Sequence, residues 1–168
     1  MVVYRRYLTD NPDELFFFTF VTHNRIPVFK SRDDYLKIWQ EWRNVSSKAD
    51  GELIAYVFLP DHIHLLIKQG IIPFSEQVRS FKRKMNMLFV EKKGTIWQAR
   101  FWEHKIWDDD DYRKHVDYIH FNPVKHNLVR NPYDWKYSSF RKFVEEGIYP
   151  PDWSSELDFI LPGGAGEV

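Results

Sequence analysis

The chain has no cysteine in its 168 residues, which excludes disulfides, zinc–thiolate sites and thiol nucleophiles. It also lacks any apolar run near the roughly 20 residues that a membrane-spanning helix needs. Its first seven residues carry two arginines but no apolar stretch typical of a signal peptide. We therefore expect a cytoplasmic protein with no membrane partner. The length predicts one domain with a substantial core.

A net charge is missing as well, but the charges are unevenly distributed. Residues 1–143 carry 24 basic and 18 acidic groups, which gives a net charge of +6. Residues 144–168 carry six acidic groups and no lysine or arginine. This asymmetry predicts a basic functional domain at 1–143 followed by an acidic tail at 144–168. The tail either aids solubility or lies across a basic groove and competes with nucleic acid.

Hydrophobic periodicity predicts the element order β-α-β-β-α-β-α with a further short helix after Trp135. This order matches a ferredoxin-like α+β sandwich with an antiparallel sheet, in which the helices cover one face and leave the other for a site. Pro123 predicts that the third helix ends or kinks at Asn122. The expected strands span 15–23, 53–58, 62–69 and 101–107, and the expected helices 31–48, 73–91 and 108–122.

Two short motifs carry candidate chemistry. His62 and His64 stand two residues apart on an expected strand, so both side chains lie on one face. Tyr118 and Asn122 stand one helical turn apart on an expected helix. Two imidazoles and an amide oxygen can hold a divalent metal, and a tyrosine can attack a phosphate. Asp61 either orients a neighbouring imidazole or simply occupies a turn.

Tyr118 faces an energetic difficulty as a nucleophile. A tyrosine hydroxyl ordinarily has a pKa of about 10, so ionising it at pH 7 costs roughly 4 kcal/mol. A metal that polarises the phosphate, or a neighbouring base, would offset part of that cost. Nitrogen ligands favour Mn²⁺, whereas Mg²⁺ is abundant and gains oxygen ligands from a substrate phosphate. The alternative is that Tyr118 lies on an ordinary polar surface of its helix, away from the apolar stripe.

A basic helix face adds a candidate binding surface. The helix after Pro73 has an apolar stripe formed by Val78, Phe81, Met85 and Leu88. Basic side chains interleaved with aromatic rings suit a groove that follows a nucleic-acid backbone and stacks bases. A solvated charged face is the alternative interpretation. The residues predicted to contact DNA are Arg79, Lys82, Arg83, Asn86, Trp97 and Arg100.

Three segments of the chain resemble the IS200-like transposases, and in particular the REP-associated tyrosine transposases. They are Tyr-Val-Phe-Leu-Pro-Asp-His-Ile-His-Leu-Leu-Ile at 56–67, Gly-Thr-Ile-Trp-Gln-Ala-Arg-Phe at 94–101 and Val-Asp-Tyr-Ile-His-Phe-Asn-Pro-Val-Lys-His-Asn-Leu-Val at 116–129. Where that branch commonly has Lys-His-Gly, this chain has Lys-His-Asn at 125–127. Because asparagine tolerates the left-handed conformation that glycine would supply, we expect little consequence.

The resemblance implies a single-strand DNA endonuclease of the HUH class. Tyr118 would be the nucleophile that forms a 5′-phosphotyrosine link, and His62, His64 and Asn122 would hold Mg²⁺ or Mn²⁺. The implied substrate is single-stranded DNA with a hairpin, and the implied protein is a nucleoid-associated monomer or homodimer. Two other functions stay open. One is a hairpin-binding module without catalysis, and the other is a phosphodiesterase that uses water.

Overall fold

The computed structural model describes residues 9–91 and 94–153. Its four strands are β1 (Leu15–Val21), β2 (Glu52–Phe58), β3 (His62–Lys68) and β4 (Trp102–Lys105). Its four α-helices are α1 (Arg32–Lys48), α2 (Phe74–Leu88), α3 (Asp109–Lys125) and α4 (Phe140–Glu145). None of the helices in the described ranges is long and apolar enough to cross a membrane.

The strands form one antiparallel sheet in the order β2-β3-β1-β4. The central strands are β1 and β3, which are consecutive in space but separated in sequence by α1 and β2. This arrangement confirms the predicted ferredoxin-like α+β class. It also places the histidine-bearing strand β3 in the interior of the sheet, where it pairs on both sides.

The alternating side chains of β1 divide between two hydrophobic cores. Phe16, Phe18 and Phe20 point to the face covered by α1 and α2, where they pack with Trp42 and Phe81. The buried residues Val78 and Met85 of the predicted stripe on α2 belong to this core. Leu88 does not, because 36% of it is exposed at the end of the helix.

The second face of the sheet is not free, contrary to the sequence prediction. Helix α3 covers it, and Val116 and Ile119 pack there against Phe17, Val57 and Leu66. Because α3 is buried along its polar side as well, the histidines of β3 lie beneath a helix rather than on an open surface. The site predicted from the motifs is therefore a crevice between the sheet and α3.

Local sequence signals account for the N-terminal ends of α1 and α3. Ser31 caps α1 by accepting a hydrogen bond from the Asp34 amide at 3.2 Å, in a reciprocal capping box. Asp108 caps α3 by accepting a hydrogen bond from the Asp111 amide at 2.8 Å. These interactions, together with the acidic first turns, match the positive N-terminal ends of both helices.

The end of α3 differs from the prediction. The helix continues through Pro123 to Lys125 instead of ending at Asn122. Proline removes one amide donor, but the His126 amide still donates to the Asn122 carbonyl at 3.0 Å. Asn127 follows with φ of +56°, so asparagine does adopt the left-handed conformation expected in place of glycine. Most of the predicted acidic tail lies outside the described residues.

A buried histidine makes the stability of the fold dependent on pH. His120 is fully buried beside Phe140, Phe143 and Tyr149, with a hydrogen bond between its Nε2 and the Ser139 hydroxyl at 2.8 Å. Burial lowers its pKa to about 3. In the unfolded chain His120 therefore becomes protonated near pH 6.5, whereas in the folded chain it stays neutral at that pH.

We expect His120 to destabilise the protein as the pH falls below 6.5. The free energy of unfolding should decrease by up to about 1.4 kcal/mol per pH unit, or roughly 2–3 kcal/mol by pH 4.5. Urea unfolding of the wild type and of His120→Gln between pH 7.5 and 4.5 measures this difference. His23→Gln, at an exposed histidine, is the matched control. An equal slope for the wild type and His120→Gln would contradict the prediction.

Candidate functional site

The two histidines of β3 lie together under α3. His62 and His64 are 1% and 0% exposed, and their ring centroids are 5.0 Å apart. They share one face of the strand, as the alternation of side chains predicts. Their strand pairs with a neighbour on each side, and Thr19 of β1 and Val57 of β2 are in register with His64.

Hydrogen bonds fix the orientation of both imidazoles. His62 Nδ1 lies 2.7 Å from the Asp61 carboxylate, and His64 Nδ1 lies 2.8 Å from the Thr19 hydroxyl. Arg25 in turn contacts Asp61 at 3.3 Å. Burial alone would raise the pKa of Asp61, but the hydrogen bond from His62 and the charge of Arg25 hold it below its ordinary value. Asp61 thus contacts His62 as an orienting acceptor does, the first of its two predicted roles.

Asn122 completes a set of three candidate metal ligands. Its side chain is fully buried, and its Oδ1 lies 3.3 Å from His62 Nε2. His62 bonds the Asp61 carboxylate through Nδ1, so Nε2 is the ring nitrogen directed at this oxygen. The donor set of two imidazoles and an amide oxygen is therefore suited to a divalent metal.

Tyr118 adjoins these ligands in the same crevice. It is 2% exposed, and its ring lies edge-on to His64 with centroids 5.3 Å apart. Lys125 Nζ donates to the Tyr118 hydroxyl at 3.1 Å and lies 4.7 Å from the ring centroid. The alternative of an ordinary solvent-facing tyrosine is wrong, because the polar side of α3 packs against the sheet.

Sequence analysis missed three groups at this site, namely Thr19, Lys125 and His126. The His126 ring lies 4.7 Å from that of His62. A signal was present, since Lys125 follows Tyr118 by two helical turns and His126 follows Asn122 by one. The prediction that the helix ended near Pro123 concealed it. Thr19 had no sequence signal, because only the pairing of β1 with β3 brings it to His64.

A second polar cluster joins β4 to the first turn of α3. One donor atom from each of His104, Asp111 and His115 lies within 4.8 Å of the others, so the group could hold a metal ion. His104 Nε2 and His115 Nδ1 contact different Asp111 carboxylate oxygens at 2.8 and 3.0 Å. The two rings are stacked within 13° of parallel. Parallel imidazoles do not direct their lone pairs at one point, so metal binding here would require the rings to turn.

The pKa shifts in this second cluster suit a hydrogen-bonded link between β4 and α3. Burial would raise the pKa of Asp111, but hydrogen bonds from His104 and the Trp107 amide hold it below its ordinary value. Burial, assisted by the nearby His104, lowers the pKa of His115. The ionised Asp111 carboxylate thus bonds His104 of β4, while the Asp111 backbone carbonyl bonds His115 Nδ1 at 2.8 Å, and Asp111 ties β4 to α3.

The six predicted DNA-contacting residues divide into two groups. Arg79, Arg83 and Arg100 are exposed. The other three have structural partners, which changes the surface expected from the sequence. Trp97 is 1% exposed in the first core, Asn86 Oδ1 accepts from the Ile96 amide at 3.0 Å, and Lys82 donates to the Gln98 carbonyl at 2.9 Å. Burial lowers the pKa of Lys82 to about 8.

Comparison with known proteins gives consistent matches. The profile of the family described as "Transposase IS200 like" matches residues 16–126. A Haemophilus influenzae protein named for the REP-associated tyrosine transposases is 34% identical, with 95% of this chain and 97% of that protein covered. The REP-associated tyrosine transposase of Escherichia coli is 41% identical over 67% of this chain and 68% of its own length.

A solved structure agrees with the sequence matches. It is described as a REP-associated tyrosine transposase bound to a REP hairpin. Its TM-score is 0.85 at 36% identity, and the alignment covers all of this chain and 98% of that one. The similarity therefore extends across the whole sheet and the helices that form the crevice.

Proposed function

The chain belongs to the family of IS200-like transposases, and from this premise we propose that it is a metal-dependent single-stranded DNA endonuclease and strand transferase. One observation carries the proposal. The Tyr118 ring packs edge-on against His64, beside His62 and Asn122, so the proposed nucleophile adjoins the proposed metal ligands. Hairpin binding alone does not require this combination, which supports catalysis over a binding module.

Tyr118 is the proposed nucleophile. Its hydroxyl oxygen attacks a DNA phosphorus, so that a P–O bond to tyrosine forms while the bond to the 3′-oxygen breaks. The phenol loses a proton, and the departing 3′-oxygen takes one up. The product is a 5′-phosphotyrosine link and a free 3′-hydroxyl. Because one ester replaces another, a second strand can reverse the step without an external energy source.

Lys125 is well placed to assist that attack. Its ammonium donates to the Tyr118 hydroxyl at 3.1 Å, where it favours negative charge on the phenolic oxygen as the proton leaves. His62, His64 and Asn122 would hold Mg²⁺ or Mn²⁺ beside it. Such an ion, when bound, polarises a phosphoryl oxygen as a Lewis acid. Asp61 and Thr19 keep the two imidazoles oriented for that purpose.

The proposed substrate is a single strand that contains a hairpin of the REP type. A relative whose structure covers this whole chain is bound to a REP hairpin. The exposed Arg79, Arg83 and Arg100 supply positive charge for the phosphate backbone. The proposed catalytic domain is residues 1–143, and the proposed cellular setting is the nucleoid.

Incubation with end-labelled hairpin oligonucleotides tests the proposal. We expect a covalent protein–DNA adduct on denaturing gels with Mn²⁺ or Mg²⁺ and none with EDTA. Mass spectrometry of the digested adduct should locate the nucleotide on Tyr118. Cleavage without an adduct would instead assign the attack to water. Tight binding without cleavage, across a panel of hairpins and both metals, would identify a binding module.

A further inference from the structure

A concave pocket lies on the opposite face of the sheet from the crevice, between α1 and the edge strand β2. Its volume is about 560 Å³, within the range typical of small-ligand sites. Five aromatic side chains form its walls, and we call it the aromatic pocket. They are Tyr35, Trp39, Tyr56, Phe58 and Tyr137.

The rings of the aromatic pocket form flat, uncharged surfaces. Tyr35 stacks on Tyr137 with centroids 3.9 Å apart, and Tyr56 stacks on Phe58 at 4.7 Å. Burial raises the pKa of Tyr35 and that of Tyr56, so both phenols stay neutral near pH 7. Trp39 is partly exposed, and the Arg43 guanidinium lies over its ring, 4.6 Å from the ring centroid. Such surfaces are suited to stacking against a planar heterocycle.

Charge distinguishes this pocket from an ordinary apolar depression. The exposed cations Arg32 and Lys136 are also part of its lining, and no aspartate or glutamate is among the described residues that line it. The neighbouring carboxylates at the start of α1 have their own partners, since Asp33 pairs with Lys37 and Asp34 accepts from the Ser31 amide. The pocket thus combines aromatic walls with positive charge, which is complementary to a base with its phosphate.

The aromatic pocket is also connected to the crevice through the backbone. Phe58 lines the pocket at the end of β2, and a turn of three residues leads from it to His62. Trp135 Nε1 donates to the Phe58 carbonyl at 3.0 Å and fixes the edge of the sheet at this point. A strand that leaves the crevice around this edge would meet the pocket.

We propose that the aromatic pocket binds one unpaired nucleotide of the single-stranded DNA, with the base among the rings and its phosphate against Arg32 and Lys136. This inference rests on the proposed function. The hairpin itself is paired, so the nucleotide would come from the single-stranded flank. Sequence selectivity outside the hairpin would then depend partly on residues far from Tyr118.

Fluorescence of 2-aminopurine tests this inference with the full chain in EDTA. The probe replaces one unpaired nucleotide at a time in the flanks of a hairpin oligonucleotide. We expect quenching at one position, and a Kd at least about fivefold higher for Trp39→Ala. Trp107→Ala removes an exposed tryptophan that does not line the pocket and should leave both readouts unchanged.

A second variant tests the pocket while leaving the packing around Trp39 intact. Arg32→Gln combined with Lys136→Gln changes only exposed side chains, and it should reduce the slope of log K against log salt by about one. If both pocket variants bind like the wild type while the adduct still forms, the pocket inference is wrong and the proposed function stands. If the wild type binds no hairpin, both the pocket inference and the proposed function are wrong. If the protein quenches the fluorescence of a free 2-aminopurine nucleotide equally well, the pocket is a mononucleotide site instead.

Discussion

Tyr118→Phe should abolish the covalent protein–DNA adduct while hairpin binding persists. The substitution removes only the hydroxyl oxygen, and the ring can keep its edge contact with His64. Loss of a catalytic nucleophile lowers rates by orders of magnitude, so we expect adduct formation to fall at least about 10³-fold. Fluorescence anisotropy should give a Kd for the hairpin within about threefold of the wild type, because the exposed arginines are unchanged.

Tyr112→Phe is the matched control for this experiment. It removes a hydroxyl from the same helix, and Tyr112 packs at the margin of the second core rather than against the imidazoles. Its adduct yield should equal that of the wild type. An adduct that persists in Tyr118→Phe, on any residue, would assign the nucleophile elsewhere. Cleavage that persists without an adduct would favour water.

His64→Ala should weaken Mn²⁺ binding and DNA cleavage together. Loss of a residue that merely orients a ligand typically costs 10–100-fold in metal affinity, so loss of the ligand itself should exceed about 100-fold. Isothermal titration with Mn²⁺ gives the affinity, and adduct yield as a function of Mn²⁺ concentration gives its consequence. The hairpin should still bind in EDTA, because the variant leaves the basic surface intact.

His104→Ala separates the two clusters of histidines. His104 belongs to the group with Asp111 and His115, which also could hold a metal ion. We expect this variant to keep metal-dependent cleavage, although loss of its bond to Asp111 should lower thermal stability. If His104→Ala loses cleavage while remaining folded and His64→Ala keeps it, the metal that supports cleavage lies between β4 and α3 instead.

Local periodicity was enough to predict several parts of the site. Alternation along β3 placed His62 and His64 on one face, and helical spacing placed Tyr118 and Asn122 one turn apart. The caps at Ser31 and Asp108 follow from short-range chemistry. The order of strands and helices selected the ferredoxin-like class, since few topologies accommodate it.

The same reasoning failed where two faces of one element were both buried. The second face of the sheet was expected to stay free for a site, yet α3 packs on it and buries its own polar side there. Basic and aromatic residues after Pro73 resembled one continuous surface, yet Trp97 lies in the core and Lys82 contacts a backbone carbonyl. A hydrophobic period reports which residues share a face, but it does not report what covers that face.

By itself, the sequence determined the residue types available for chemistry, their placement on strand or helix, and the similarity to IS200-like transposases. Only the tertiary structure decided which of them meet. Asn122 reaches His62 across 60 residues of sequence because α3 packs on β3, and Thr19 reaches His64 because β1 pairs with β3. Such contacts depend on long-range packing, and no local propensity specifies the distance between two elements.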